Sequence, residues 1–278
     1  MASGSVIRLA VFGNPIAQSL SPAIHRAFAQ QCGLNIDYRT IEANSDSFPG
    51  EVMALARQGG RGCNITAPFK HAAWKLARQC SDNAQRAQAA NTLVFESPGE
   101  WYADSTDGMG LVNDLKSGAN TDLKGARICL LGAGGAAAGV LAALLACDPE
   151  LIVLANRTLE RARKLTESHA DLGEIAPCIP AELQNEAPFD LFINATSLGH
   201  RGQSPVLSSD WLNPDALCYD MNYGTAAEPL RAVCREHGIP YSDGLGMLVG
   251  QAALSFTLWT GETPDTGAVL DQLRSTPG

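Results

Sequence analysis

Four short polar clusters sit where helices and strands are expected to begin or end. In Asn64-Ile-Thr66-Ala-Pro68-Phe-Lys70, strand alternation puts Asn64 and Thr66 on one face at a strand end. Lys70 then falls in the first turn of a helix, where the positive end of the dipole disfavours a cation. Gly13-Asn-Pro-Ile-Ala-Gln-Ser19-Leu-Ser21-Pro22 places two serines just before a helix. They can offer two hydroxyls to a polyol or a carboxylate, or simply cap the helix. Asn91 precedes a strand, and Asp107 in Ser105-Thr-Asp107-Gly108 falls at a predicted crossing between domains.

A fifth feature is a glycine turn. Arg127-Ile-Cys-Leu-Leu131 leads into Gly132-Ala133-Gly134-Gly135-Ala136-Ala137 and then a helix of small residues. Between a strand and a helix, the pattern G-x-G-x-x-A is a dinucleotide fingerprint. Its first glycine makes the tight turn, and its second lets a pyrophosphate reach the backbone. The third small residue lets helix and strand pack closely. The helix N-terminus adds free N–H groups and positive dipole. The next strand ends in Asn156-Arg157-Thr158, with Arg161 one helical turn on. An acidic residue there would bind a ribose 2′-hydroxyl. Cationic and hydroxyl donors suit a 2′-phosphate instead, so the expected cofactor is NADP. An arginine at a helix N-terminus also opposes the dipole, which weakens a purely structural explanation.

The elements that carry these residues follow from periodicity and turn signals. Strands are predicted at Val6 to Phe12, Tyr38 to Ile41 and Gly62 to Ile65. Helices are predicted from Pro22 to Cys32, Glu51 to Arg57, and Pro68 to about Gln79. Thr92 to Phe95 and Trp101 to Ala103 flank Pro98-Gly99, a hairpin signal. A second alternation follows Asp107. Its strands are Arg127 to Leu131, Leu151 to Ala155, Phe189 to Asn194, Leu217 to Met221 and Ile239 to Ser242. Its helices are the one after the glycine turn, Leu159 to His169, and Ala226 to His237. Such a βα repeat predicts a parallel sheet covered on both faces. Gly246 to Thr260 is an apolar helix that leaves the repeat and is expected to return to the first domain.

Bulk properties narrow the function classes. A chain of 278 residues with 45% apolar and 18% charged residues can fill two cores. The net charge of −9 argues against a nucleic-acid or anionic membrane surface. Eight scattered cysteines (Cys32, Cys63, Cys80, Cys129, Cys147, Cys178, Cys218 and Cys234) have no ligand-like spacing. They are expected to be reduced, with no metal site. Ile128 to Cys147 is uncharged and long enough to span a bilayer, but its glycines divide it into strand, turn and helix. Met1-Ala-Ser-Gly-Ser5 lacks a secretory n-region and h-region, so a cytoplasmic location is expected. On the same ground the sequons at Asn64, Asn156 and Asn194 are taken as coincidental.

These blocks, in this order, resemble the shikimate dehydrogenase family. The matching segments are V-F-G-N-P-I-A-x-S-x-S-P-x-I-H from Val11 to His25, N-x-T-x-P-x-K from Asn64 to Lys70, and T-D-G from Thr106 to Gly108. G-A-G-G-A from Gly132, N-R-T from Asn156 and N-A-T-S from Asn194 follow. Y-D-M-x-Y from Tyr219 and D-G-L-G-M-L-V-x-Q-A-A from Asp243 complete the set. The resemblance implies an α/β chain with an N-terminal α/β substrate domain and a Rossmann-type doubly wound parallel sheet, its C-terminal helices returning to the first domain. Residues 1–106 with 245–278 would form the substrate-binding catalytic domain, and 107–244 the NADP-binding domain.

It further implies reversible NADPH-linked reduction of 3-dehydroshikimate to shikimate, in aromatic amino acid biosynthesis. Lys70 and Asp107 would be the catalytic pair. A lysine ammonium can polarise a ketone and donate the proton that the nascent alkoxide needs. A neighbouring carboxylate fixes the ammonium and raises its proton affinity. The plain alternative is an ion pair that ties the domains. Ser19 and Ser21 would bind the substrate carboxylate. Asn64, Thr66, Asn91 and Gln251 would bind ring hydroxyls, and Tyr223 would close over them. Asp82, Met221, Gly244 and Met247 would join Gly132 to Ala136, Asn156, Arg157, Thr158 and Arg161 at the cofactor, although Met247 can equally fill core. A monomer or homodimer is expected, with no nucleic-acid or membrane partner. Leu20, Ser105, Asn222 and Leu198-Gly-His200 depart from the usual pattern and leave a different substrate, such as quinate, open. A non-catalytic NADP-sensing module is the remaining alternative.

Overall fold

The computed structural model describes residues 6–97 and 99–275; Met1 to Ser5 and Pro98, used in the sequence reading, lie outside them. The chain divides into two compact units. One runs to Gly110 and resumes at Val249, and the other is Leu111–Leu248.

The first unit opens with β1 (Ile7–Gly13), α1 (Ser21–Cys32), β2 (Ile36–Glu42), α2 (Phe48–Arg57) and β3 (Gly60–Ile65). It continues with α3 (Lys70–Leu76), β4 (Gln79–Cys80), α4 (Asp82–Ala87), β5 (Thr92–Ser97), β6 (Glu100–Asp104) and the start of α5 (Asp107–Asn113). The sheet order is β2-β1-β3-β5-β6-β4. β1 runs parallel to β2 and β3, whereas β5 is antiparallel to both β3 and β6. The sheet is therefore mixed, because the β5–β6 hairpin returns the chain directly instead of through a helix. Gly99 turns it with φ +83°.

The helix expected from Pro68 to Gln79 is shorter. Ala77 is already extended, and Arg78 N–H and Ser81 N–H bond Trp101 O and Ala103 O on β6. An unpaired sheet edge thus captured the residues that propensity alone would have kept helical. α4 was missed for a related reason: it is a six-residue turn that Ser81 caps by accepting from Ala84 N–H, too short to show a period.

A five-residue π-helical turn (Asp114–Gly118) follows α5. The second unit then has β7 (Arg127–Leu131), α6 (Gly135–Leu145), β8 (Leu151–Ala155), α7 (Leu159–Glu167), β9 (Ile175–Cys178) and α8 (Leu183–Glu186). β10 (Phe189–Asn194), β11 (Leu212–Asp220), α9 (Glu228–His237) and β12 (Tyr241–Asp243) complete it. All six strands are parallel, in the order β12-β11-β10-β7-β8-β9. This is the doubly wound arrangement. Connections leave β7 toward one edge and β10 toward the other, so a crevice opens at the carboxyl ends of those two strands. β9 escaped sequence reading because it carries Pro177, which only an edge strand tolerates. Buried side chains fill both faces of the sheet, Ile128, Leu130, Val140 and Leu144 on one and Cys129, Val153, Phe192 and Leu230 on the other.

α10 (Leu245–Thr260) passes from the second unit into the first, and α11 (Thr266–Ser275), not foreseen, follows it. Within the first unit, Trp259 of α10 donates from Nε1 to Leu93 O at 2.9 Å. The eight cysteines form no disulfide, and five of them are buried. Among the described residues no helix is long and apolar enough to cross a membrane.

His25 of α1 is fully buried in an aromatic cage of the first unit. It stacks on Tyr38 at 4.3 Å and meets Phe28, Phe256 and Trp259. Its Nε2 lies 3.2 Å from Asn64 Oδ1. Burial lowers its pKa from 6.5 to about 3, against a smaller upward push from the Asn64 bond. Below pH 6.5 the unfolded chain binds a proton that the folded ring refuses. This residue's contribution to stability is complete above that value and drains away as pH falls toward 3. Replacing His25 by Phe should therefore flatten the acid limb of stability. Between about pH 6.5 and pH 4 the wild type should lose about 1 kcal/mol per pH unit more than the variant. Urea unfolding midpoints across that range test it, and parallel slopes would refute it.

Candidate active site

Two helices of the first unit begin on residues of opposite charge. α3 starts on Lys70 and α5 starts on Asp107. The side chains meet, Nζ to Oδ2, at 2.5 Å, with 21% and 10% of their surfaces exposed. A carboxylate suits a helix N-terminus and a cation does not. Asp107 therefore supplies the charge that makes Lys70 tolerable there. The pair is too enclosed to be an ordinary surface bridge, yet Lys70 keeps an accessible face.

Asn91 orients Asp107. Its Oδ1 accepts from Thr106 N–H at 2.9 Å, and a backbone amide can only donate. That fixes which end of the side chain is which. Nδ2 consequently faces Asp107 Oδ1 at 2.9 Å and Gln251 Oε1 at 3.0 Å. With Oδ1 of Asp107 held by Asn91, Oδ2 is turned to Lys70. Gln251, which the family resemblance assigned to the substrate, meets Asn91 across 160 residues of sequence.

Asn64 is buried with every polar atom engaged. Its Oδ1 accepts from Tyr38 OH at 2.8 Å and faces His25 Nε2. Its Nδ2 donates to Asn91 O at 3.1 Å and to the hydroxyls of Thr92 and Ser255. Thr66 lies just past the end of β3, half-buried. Of the two serines, Ser21 is buried and Ser19 half-buried, and Ser19 Oγ accepts from Ser21 N–H at 3.3 Å. Burial drives the pKa of the Tyr38 phenol well up, with neighbouring Ser21 opposing. The structure thus brings Lys70, Asp107, Asn91, Gln251 and Asn64 into one network. Sequence reading missed Tyr38, Thr92, Thr106 and Ser255 as members. Ser255 had a signal, since it lies one helical turn after Gln251.

The glycine turn of the second unit is built as the fingerprint requires. Gly132 has φ +116°, and a Cβ there would sit 3.0 Å from Ala195 O. The turn thus needs its first glycine for both conformation and space. Gly134 and Gly135 differ. A Cβ at either would meet nothing within 4 Å, so the protein itself does not demand glycine there. Open backbone at a helix N-terminus is a cradle that suits a pyrophosphate. Ala133 N–H donates to Asn156 Oδ1 at 3.2 Å, and Asn156 Nδ2 donates to Thr158 O. Asn156 therefore ties the turn to the exit of β8. Arg157, Thr158 and Arg161 are exposed, and neither arginine has an acidic partner among the described residues. Ala136 is half-buried in the first turn of α6. Gly244 is obligatory, because a Cβ would lie 2.4 Å from Met221 O. Met221 is half-buried and Met247 is packed in the core of this unit. Tyr223 is half-buried, and burial raises its pKa. Asp82, in the first unit, is exposed at the start of α4.

One departure from the family pattern has a structural task. Asn222 donates from its backbone N–H and its Nδ2 to Asp220 Oδ1, at 3.0 and 2.8 Å, and from Nδ2 to Thr196 O at 3.0 Å. It clamps the exits of β10 and β11 together. Asp220 is 1% exposed, and Asn194 Nδ2 is its further donor. Burial raises the pKa of its carboxyl, with these donors opposing. Asn222→Ala should cost about 1–3 kcal/mol in urea unfolding. Asn222→Asp should cost more, since it sets a second carboxylate against a buried one. Equal stability of the three chains would refute the clamp.

Three family models match consecutive parts of the chain. They are the shikimate dehydrogenase substrate binding domain over residues 11–93, shikimate / quinate 5-dehydrogenase over 114–212, and the shikimate 5′-dehydrogenase C-terminal domain over 244–274. A shikimate dehydrogenase (NADP(+)) of Psychromonas ingrahamii is 47% identical over 266 residues, or 95% of this chain and 97% of that one. The crystal structure of an Ael1 enzyme from Pseudomonas putida superimposes with TM-score 0.88 at 39% identity, covering 98% of this chain and 99% of that one. That of shikimate 5-dehydrogenase from Thermus thermophilus, in complex with NADP(H) and shikimate, gives TM-score 0.82 at 33% identity over 96% and 98%. With its glycine turn, its Lys70–Asp107 pair and near end-to-end identity of this order, the chain belongs to the shikimate dehydrogenase family.

Proposed function

We propose that this chain is an NADP-dependent oxidoreductase that reversibly reduces 3-dehydroshikimate to shikimate. The observation that carries this reading is the Lys70–Asp107 pair, held by Asn91 in a largely buried polar network. NADPH, when bound, supplies the hydride. Lys70 Nζ hydrogen-bonds the ketone oxygen, draws charge from the carbonyl, and delivers a proton as the alkoxide forms. Asp107 holds the ammonium in place through Oδ2, while Asn91 holds its Oδ1. In the oxidative direction Lys70 accepts the hydroxyl proton. Ser19 and Ser21 hold the substrate carboxylate. Asn64, Thr66, Asn91 and Gln251 order the ring hydroxyls, and Tyr223 covers them.

The cofactor pyrophosphate lies on Gly132 to Ala136. Asn156, Arg157, Thr158 and Arg161 take the ribose 2′-phosphate, and Met221, Gly244 and Met247 border the nicotinamide, with Asp82 as a further contact. The first unit, to Gly110 and from Val249, serves as the substrate domain and Leu111–Leu248 as the cofactor domain. The chain works in the cytoplasm as a monomer or homodimer, in the supply of aromatic amino acids, and its net charge of −9 gives nucleic acid no favourable surface.

Steady-state oxidation of shikimate and quinate with NADP+ and NAD+ tests the reading. Shikimate with NADP+ should be the preferred pair, and no turnover of shikimate with either cofactor would refute it. Comparable specificity constants for quinate would widen the substrate range. Lys70→Ala should lower kcat by about a hundredfold or more. Arg157→Ala should raise the KM for NADP+ roughly tenfold through loss of a charge-assisted bond, leaving that for NAD+ in place. An unaltered cofactor preference would remove Arg157 from the 2′-phosphate site.

A further inference from the structure

Behind the lysine–aspartate pair, three hydroxyls and two carbonyl oxygens of the first unit close a buried ring. Ser255 Oγ lies 2.7 Å from Thr92 Oγ1, and Thr92 Oγ1 lies 3.0 Å from Asn91 Oδ1. Asn91 Oδ1 is 3.2 Å from Thr106 Oγ1, which is 3.0 Å from Gln251 O. Gln251 O is 3.1 Å from Ser255 Oγ, which closes the circuit. Ser255 and Thr92 are fully buried, and Thr106 nearly so.

Three hydroxyl protons serve this ring; with the short Ser255–Thr92 contact bonded and each carbonyl oxygen accepting one hydroxyl, two arrangements are consistent. In one, Ser255 donates to Thr92, Thr92 to Asn91 Oδ1, and Thr106 to Gln251 O. In the other, Thr92 donates to Ser255, Ser255 to Gln251 O, and Thr106 to Asn91 Oδ1. The second makes Thr106 bond both ends of one amide, because Asn91 Nδ2 already donates to Thr106 Oγ1 at 2.9 Å. The first spreads the bonds over separate partners and is the better satisfied. In it Ser255 starts a chain of donors that ends on Asn91 Oδ1. Its own oxygen accepts from Asn64 Nδ2 at 3.0 Å. Ser255 thus reaches two of the residues assigned to the substrate: Asn64 directly, and Asn91 through Thr92.

We infer that Ser255 is a positioning residue for the reaction: from α10 it fixes the rotamers of Asn64 and Asn91, and through Asn91 the aim of Asp107 at Lys70. The inference rests on the functional reading above. Ser255 does not touch the reacting atoms. Its effect follows from geometry, since Asn91 with its amide reversed would turn Oδ1 on the Asp107 carboxylate and Nδ2 on the Thr106 N–H, and both contacts repel. Each donor on Asn91 Oδ1 excludes that reversal.

The test compares wild type, Ser255→Ala, Thr92→Val and the double variant in shikimate oxidation with NADP+. Thr257→Val serves as control. It removes another hydroxyl of α10, one bonded to Ala253 O and Glu262 O outside the ring. Each ring variant should lose about ten- to a hundredfold in kcat/KM for shikimate, the size expected for a buried donor left unpaired. The KM for NADP+ should stay within about twofold, a split that general loosening of the fold would not produce. The double variant should be no worse than the poorer single one, because both break the same chain. Thr92→Val preserves shape and keeps the test available if Ser255→Ala folds badly. Wild-type turnover beside unimpaired ring variants, or losses that multiply in the double variant, would overturn the positioning role alone. A wild type inactive on shikimate would overturn the functional reading, and this inference with it.

Discussion

A partly buried lysine–aspartate ion pair needs its lost hydration replaced, and a polar network of the first unit serves that need. Direct attraction between Lys70 and Asp107 does not suffice, because taking two ions out of water costs several kcal/mol for each. The second carboxylate oxygen must also be bonded, and Asn91 meets it. Asn91 is held in turn by Thr106, Thr92 and Gln251. A half-satisfied network of this kind is worse than an apolar core, whereas a complete one is rigid and specifies a single arrangement. The outcome is a lysine whose charge is aimed rather than solvated at random, as proton delivery to a carbonyl oxygen requires.

The second unit meets a different demand with backbone in place of side chains. A pyrophosphate is bound by approach to bare peptide groups, so the residues that matter are those that leave room. Gly132 is dictated by its conformation and by the carbonyl of Ala195. Gly134 and Gly135 are dictated by nothing in the protein, which is itself an argument for a ligand. The Asn156 bridge and the Asn222 clamp hold the strand exits around the crevice of the doubly wound sheet. Cation placement follows the same economy. In a chain of net charge −9, Arg157 and Arg161 stand exposed without acidic partners among the described residues.

Much of the fold was legible because its signals are local. Strand, glycine turn and helix from Arg127 to Leu145 need only a few consecutive residues to declare themselves. What escaped were elements whose identity depends on a neighbour. Gln79–Cys80 is a strand because β6 offers it an edge, and Ile175–Cys178 is one despite its proline because it lies at the edge of its sheet. The mixed sheet of the first unit escaped as well, since alternating segments do not reveal that β5 enters antiparallel.

By itself the sequence determined which groups were available: one lysine at a helix start, one aspartate near a domain crossing, a fingerprint turn, and arginine where an acid would select the other dinucleotide. Motif order and spacing carry that information because each motif is a local chemical device. Only the tertiary structure decided how those groups are used. Lys70 meets Asp107, Asn91 meets Gln251 across 160 residues, and Asn64 meets Ser255 across 191. It made Asn64 a fully engaged member of the network, set Met247 in a core, and gave Asn222 a clamp to hold. The reason is that hydrogen-bond partnership and burial belong to positions in space, which chain folding brings together from places that sequence spacing does not relate.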